Sequence, residues 1–156
     1  MNQKIMIAMS LEDELILPLY QWGAKFSWQS YSEVHLVHVI KKNLTPLEFG
    51  IMELPSEETY QAMLPTLTKF LEDEAKKIIP SSFRGKITFH TQLDFNPAEA
   101  VTRLIKDIGC DLVVLSTRGK HGFEGLFHSS FTDHLVRFAN CDVYVVRPKL
   151  SSGGEQ

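Results

Sequence analysis

The residues best suited to bind a ligand lie between two short apolar runs near the end of the chain. The run Asp111–Leu115 is followed by Ser116-Thr-Arg-Gly119, further glycines and then Ser129–Asp133. Glycines let the backbone approach a ligand closely, and Ser129 or Ser130 is well placed to cap a helix. Because unpaired amides at a helix start attract anions, this loop predicts an anionic ligand such as phosphate. The alternative is that the glycines only turn the chain.

The same loop contains side chains that are found in hydrolytic sites. His121, His128, Ser129, Asp133 and His134 lie close together in the sequence. No nucleophile, base and orienting group can be assigned among them, so we expect polar surface residues and no catalytic residue. Arg118 and Lys120 instead offer positive charge to a phosphate or an acidic partner, or are simply solvated.

The remaining motifs exclude several classes of site. The chain has no phosphate-binding P-loop, no dinucleotide-binding fingerprint and no Gly-x-Ser-x-Gly motif. His35 and His38 are three residues apart in an apolar run and should point to opposite faces of a strand, which argues against a shared metal site. We therefore expect no metal.

Five apolar runs have the length of buried strands. They span Lys4–Met9, Glu33–Ile40, Lys86–Gln92, Asp111–Leu115 and Asp142–Val146. Helical patterns alternate with them, which predicts an α/β fold in which a doubly wound, five-stranded parallel sheet carries helices on both faces. The third strand is expected at an edge of the sheet.

Start and stop signals give the helix limits. The first helix should begin close to Pro18 and end near Trp28, since proline is tolerated in the first turn. Ser56 opens the second helix, which continues to Ile78 with a kink or break at Pro65. Residues 41–55 show no hydrophobic periodicity, which predicts a long loop. Asn96 should cap the third helix, with Pro97 as its first residue and Gly109 at its end.

Size and composition limit the function. The chain has 156 residues, 44% of them hydrophobic, and a formal net charge of -3. This length suits one domain, which we place at residues 1–148, followed by a disordered tail at 149–156. The acidic balance argues against nucleic-acid binding, and no apolar run is long enough for a membrane span. Two cysteines are no disulfide framework, which favours a reducing cytoplasm.

The glycine-bearing loop resembles the signature of the universal stress protein family, Gly-x-x-Gly, nine residues, then Gly-Ser/Thr. Here the segment reads Ser116-Thr-Arg-Gly119, nine residues, then Ser129-Ser130. The second glycine and the final hydroxyl match, whereas serine replaces the first and third glycines. The resemblance extends from Ile5 to Pro148, and in nucleotide-binding members this loop wraps the ribose and phosphates of ATP.

The resemblance also implies the ligand-binding residues. The family places an adenine-reading aspartate where this chain has Ser10, and an adenine-packing valine where it has Val39. The site residues implied in this way are Ser10, Val39, Leu115, Ser116, Arg118, Gly119, Ser129, Ser130, Phe131 and Thr132. The serines at 10, 116 and 129 are similar to the pattern of universal stress protein A type members, which are thought not to hold ATP. No cofactor is certain, and ATP or another adenine nucleotide is the candidate ligand.

The family likeness further implies strand order 3-2-1-4-5 and a homodimer that pairs through Asp142–Val146. Two functions follow. The first is a cytoplasmic stress-response regulator with weak or absent ATP binding and an unidentified protein partner, and the second is a regulator that binds ATP or AMP. Cys110 and Cys141 each open a strand and are expected to be neighbours with unreactive thiols.

Overall fold

The computed structural model describes residues 2–42, 45–46, 52–53, 56–117 and 130–148. Arg118, Gly119, Ser129 and the tail at 149–156 lie outside these residues, as does the rest of the predicted loop. The strands are β1 (Gln3–Ala8), β2 (Tyr31–Lys41), β3 (Thr45–Pro46), β4 (Met52–Glu53), β5 (Lys86–Asp94), β6 (Leu112–Ser116) and β7 (Asp142–Val146). The helices are α1 (Asp13–Lys25), α2 (Glu57–Ile78), α3 (Pro97–Ile108) and α4 (Ser130–Phe138).

Five of these strands form one parallel sheet in the order β5-β2-β1-β6-β7. In terms of the predicted strands this is the order 3-2-1-4-5, so the doubly wound fold is confirmed, and β5 lies at an edge. The central strand β1 pairs with β2 on one side and with β6 on the other. The winding therefore reverses between β1 and β6.

Each face of the sheet carries its own hydrophobic cluster, because successive side chains of a strand point to opposite faces. Ile5 and Ile7 of β1 join Leu19 of α1 and Leu71 of α2 in the first cluster. Met6 joins residues of α3 and α4, including Val101, Ile105 and Leu135, in the second. Helices thus cover both faces, as the nearly continuous apolar strands predict.

The helix caps of α2 and α3 agree with the sequence signals. Ser56 accepts a hydrogen bond at Oγ from the Thr59 amide, and Asn96 accepts one at Oδ1 from the Glu99 amide. Pro97 follows Asn96 in the first turn of α3. Gly109 ends that helix in the left-handed region, with φ of 77°. These side chains satisfy amides that the helix itself leaves unpaired.

The expected limits of α1 are wrong. The helix begins at Asp13 and ends at Lys25, with Pro18 in its second turn. The amides of Leu15 and Ile16 both bond to the Glu12 carbonyl and form the first turn without Pro18. Ile16 and Leu19, which are 3% and 0% exposed, hold the helix against the sheet on either side of the proline. This burial offsets the hydrogen bond that Pro18 cannot donate.

Two further expectations need correction. Helix α2 is continuous through Pro65, because buried Leu67 and Leu71 hold the following turns, so a break at Pro65 is wrong and a kink there stays a prediction. Residues 41–55 are not all loop. Strand β2 includes Lys41, and β3 pairs antiparallel with β4 within this segment. Two-residue strands are too short to create a detectable periodicity.

Candidate functional site

The crevice of a doubly wound sheet lies above the carboxyl ends of the strands where the winding reverses. In this chain those strands are β1 and β6, which are followed by Ser10 and Thr117. The Met9 amide donates to the Val37 carbonyl at 2.8 Å, and the Thr117 amide donates to the Val146 carbonyl at 3.0 Å. Neighbouring strands therefore fix the backbone on both sides of the crevice.

Ser10 begins the connection from β1 to α1. Its Oγ accepts a hydrogen bond from the Glu12 amide at 3.1 Å, which turns the chain towards the helix. A serine hydroxyl is shorter than an aspartate side chain and carries no charge. At this position the chain consequently lacks a carboxylate that could accept a hydrogen bond from an adenine amino group.

Ser116 ends β6 on the other side of the crevice. Its hydroxyl donates to the Leu15 carbonyl of α1, and this contact joins the start of the signature loop to the helix that follows Ser10. Ser116 is half-buried. Its side chain thus occupies space beside the loop that a glycine would leave open.

The apolar residues predicted for the site come together under the crevice. Val39 and Leu115, which are 7% and 2% exposed, belong to the second hydrophobic cluster, and Phe131 of α4 packs against it. Thr132 of α4 is 2% exposed, whereas Ser130 faces solvent. The structure thus places Val39, Leu115 and Phe131 in one cluster. It leaves Ser130 outside that cluster.

His38 is a polar residue of this region that the sequence analysis weighed only as a metal ligand and did not assign to the crevice. The imidazole Nδ1 donates to the Met9 carbonyl at 2.8 Å. This bond ties the end of β2 to the residue that precedes Ser10. In neutral His38 it assigns the proton to Nδ1 and leaves Nε2 as an acceptor.

A second polar group lies lower on the sheet, away from the crevice. His35 Nε2 donates to Glu33 Oε2 at 3.0 Å, and His35 Nδ1 lies 2.9 Å from His90 Nε2. The hydrogen bond from His35 is the largest cause that lowers the pKa of Glu33. Burial, followed by the charge of His35, lowers the pKa of His90. The three groups are bonded in a line and do not converge on a common point.

Metal binding finds no support in the described part of the chain. Across residues 2–42, 56–117 and 130–148, no group of three or more His, Cys, Asp or Glu side chains is arranged to hold a metal ion. His35 and His38 lie on opposite faces of β2, as expected from their spacing. None of the described helices is long and apolar enough to cross a membrane.

The fold and the crevice define a doubly wound α/β protein whose ligand position lies between β1 and β6. The model of the universal stress protein family matches residues 1–147, and the chain belongs to this family. A universal stress protein of Methanocaldococcus jannaschii is 25% identical over 117 residues, which are 74% of this chain and 65% of that protein. Universal stress protein A homolog 2 of Coxiella burnetii is 23% identical and covers 96% of this chain and 97% of its own length. The chain spans under two thirds of the first of these relatives.

Solved structures show the same fold at lower identity. Hypothetical protein MJ0577 superposes with a TM-score of 0.67 and 20% identity, with coverage of 97% of this chain and 99% of its own. A universal stress protein in complex with cAMP gives 0.62 and 14% identity, with coverage of 95% and 98%. An Arabidopsis thaliana family member with AMP bound gives 0.56 and 16%, with coverage of 96% and 94%. Proteins of this fold thus include nucleotide complexes.

Proposed function

We propose that this chain is a cytoplasmic, non-enzymatic regulator of the stress response whose crevice binds ATP weakly or not at all. The observation that carries the proposal is the Ser116 hydroxyl, which bonds to the Leu15 carbonyl at the start of the signature loop. Serine there adds a Cβ where the family signature has glycine, and Ser10 replaces the adenine-reading carboxylate. Each change disfavours a nucleotide at a separate contact.

The expected loss of affinity is roughly a hundredfold. The Cβ that replaces a glycine of the family signature costs about 1 kcal/mol at each of positions 116 and 129, where backbone is expected to approach the nucleotide, and the hydrogen bond lost at Ser10 costs about 1 kcal/mol. Each 1.4 kcal/mol is about a factor of ten in affinity. A micromolar site would become marginal at this loss, while the apolar floor of Val39 and Leu115 would still accept an adenine ring.

A second candidate function is nucleotide-dependent regulation through bound ATP or AMP. It is favoured by the buried floor of the crevice and by neighbours of the same fold that were solved with cAMP and AMP. In that case the crevice would hold an adenine nucleotide without fast chemistry. Another protein would then recognise the nucleotide-bound form of the chain.

Calorimetric titration separates the two candidates. Wild-type protein is compared with Ser10→Asp/Ser116→Gly/Ser129→Gly, with ATP, AMP and cAMP as ligands. We expect marginal wild-type binding of ATP and a gain of about a hundredfold in the triple variant. Tight wild-type binding of ATP or AMP would instead establish the second function. No gain in the variant would show that these three serines do not close the site.

We further propose a homodimer through Asp142–Val146 as the form in which the chain meets its regulatory protein partner. Strand β7 is the edge of the sheet beyond β6, and an apolar edge strand is prone to pair with another strand. We propose neither nucleic acid nor a membrane as a partner, because the net charge is -3 and no described helix can cross a membrane.

A further inference from the structure

An aromatic groove lies at the end of the sheet opposite the crevice. It is lined by Phe26 after α1, Trp28, Tyr31 at the start of β2, and Phe83 and Arg84 before β5. Its volume is about 550 Å³, within the range of small-molecule sites. Because the strands are parallel, residues that precede β2 and β5 lie at the amino end of the sheet, remote from Ser10 and Thr117.

The walls of the groove are aromatic rings held by one another. Phe26 and Trp28 meet edge to face with centroids 5.0 Å apart, and Trp28 and Phe83 do the same at 6.0 Å. The Trp28 indole donates Nε1–H to the Gly23 carbonyl at 2.8 Å. Its polar atom is therefore satisfied within the fold, and Trp28, which is 6% exposed, forms the buried back of the groove. Offset and edge-to-face contacts make such walls suited to a planar ring.

Gly85 is the reason that Phe83 can form one of these walls. A Cβ at this position would lie 2.3 Å from the Phe83 ring and 2.4 Å from the Ser32 carbonyl oxygen. Only glycine allows the chain to pass so close to both groups. The turn between α2 and β5 is thus built to fold Phe83 back towards Trp28.

The charge of the lining comes from Arg84. Its Nη1 donates to the Ser81 carbonyl at 2.8 Å, which anchors the guanidinium at the groove. Within the described part of the chain no carboxylate forms an ion pair with Arg84. Burial raises the pKa of Tyr31, and Asp111 and Asp142, which do not line the groove, add to this rise. The phenol is therefore neutral at pH 7, and the lining offers one positive charge.

We propose that this groove binds a small planar aromatic anion, with its ring against the partly buried Tyr31 and Phe83 and its carboxylate or equivalent acidic group on the Arg84 guanidinium. Aromatic walls select the ring, and a guanidinium with free N–H groups selects a planar anion such as carboxylate. The site is separate from the nucleotide crevice. Its occupation does not depend on whether ATP binds.

The probe is naphthalene-2-carboxylate, with its uncharged carboxamide as the matched ligand. The chain has two tryptophans, Trp22 and Trp28, whose rings lie 5.4 Å apart at this end of the sheet. Proton–nitrogen correlation spectra therefore report on the groove through two indole signals. We expect saturable shifts of Trp28 and Gly85 with the carboxylate, about tenfold weaker binding of the carboxamide, and no competition by ATP.

Variants test the role of the charge. Arg84→Gln should weaken naphthalene-2-carboxylate binding about tenfold and leave the carboxamide unaffected, whereas Arg84→Lys should retain part of the affinity. Arg103→Gln is the matched control, since Arg103 pairs with Asp94 at the other end of β5. Arg84 is exposed, so these variants should fold, and their spectra will verify it. Absence of saturable shifts, equal binding of the two ligands, or displacement by ATP would overturn the proposal.

Discussion

The imidazole Nδ1 of His35 lies 2.9 Å from Nε2 of His90 on the neighbouring strand, and the two rings stack with centroids 5.1 Å apart. Because Glu33 accepts from His35 Nε2, a neutral His35 must accept from His90 through Nδ1. The chain of bonds runs from His90 through His35 to Glu33. Because neutral His90 donates through Nε2, an added proton on His90 goes to Nδ1, and the partly buried ring then carries a charge next to His35.

The His35–His90 pair predicts a loss of stability in mild acid. Since the folded-state pKa of His90 is lowered, its contribution to stability is complete above an unfolded pKa of about 6.5 and is lost as the pH falls through the folded pKa. We expect the wild-type free energy of unfolding, measured with urea, to fall more steeply below about pH 6.5 than that of His90→Gln. The control variant is His134→Gln, on α4, which keeps the His35–His90 pair intact. Its free energy of unfolding should fall with pH as steeply as that of the wild type. Parallel curves for wild type and His90→Gln would contradict the prediction.

Gly109 should tolerate asparagine better than alanine. It has φ of 77°, and a Cβ built there meets no atom within 4 Å. The cost of Gly109→Ala is therefore backbone strain, about 1 kcal/mol, and Gly109→Asn should cost less because asparagine visits this region more readily. Urea unfolding measures both changes. Equal losses for the two variants would show that a contact and not φ decides the cost.

The strands of the main sheet and the limits of α3 could be predicted from the sequence, because buried strands appear as short apolar runs and helix ends are marked by capping residues. Apolar runs of strand length located all five strands of the main sheet, and Asn96, Pro97 and Gly109 marked the limits of α3. The limits of α1 failed because tertiary burial of Ile16 and Leu19 outweighs the local preference of Pro18. A proline within a helix costs about 3 kcal/mol, and burial of two large apolar side chains is enough to offset this cost.

The polar contacts of the sheet could not be predicted in the same way. Alternation placed His35 and His38 on opposite faces, but the partner of His35 is His90, 55 residues away. That pairing depends on the register of β2 against β5, which aligns His35 with Thr88 and Val37 with His90. The His38–Met9 bond likewise depends on the β1–β2 register. Register is set by packing across the whole sheet, and a single strand does not reveal it.

Cys110 and Cys141 should react slowly in the native protein. Burial is the first cause that raises the pKa of the Cys110 thiol to about 12, and the proximity of Cys141 is the second. Burial also raises the pKa of Cys141, and the thiolate is the reactive form. With an aromatic disulfide reagent at pH 8, we expect slow labelling of half-buried Cys141, slower labelling of Cys110 and rapid labelling of both in denaturant. Cys110→Ser isolates the Cys141 reaction, and rapid native labelling of both thiols would refute the prediction.

The proposed dimer predicts that a charge on the exposed side of β7 gives a monomer. Tyr144 is 49% exposed, whereas Val143 and Val145 pack against the second hydrophobic cluster. Tyr144→Lys should therefore oppose pairing of two β7 edges without opening the core. Sedimentation velocity compares it with Met63→Lys on α2, where Met63 is 44% exposed. A dimer that persists in Tyr144→Lys would place the interface elsewhere.

Replacement of Ser116 by glycine should lower the stability of the protein and raise its affinity for nucleotide. Its hydroxyl donates to the Leu15 carbonyl, so Ser116→Gly should lower the free energy of unfolding by about 1 kcal/mol. The same change removes the Cβ beside the loop and should raise affinity for ATP by up to about tenfold. Ser116→Ala is the matched control, because it removes the hydroxyl and keeps the Cβ. It should lose similar stability without the gain in affinity when urea unfolding and calorimetry are run on all three proteins. Equal gains in the alanine and glycine variants would assign the effect to the hydroxyl bond, and no gain in either would place the barrier to ATP at another residue.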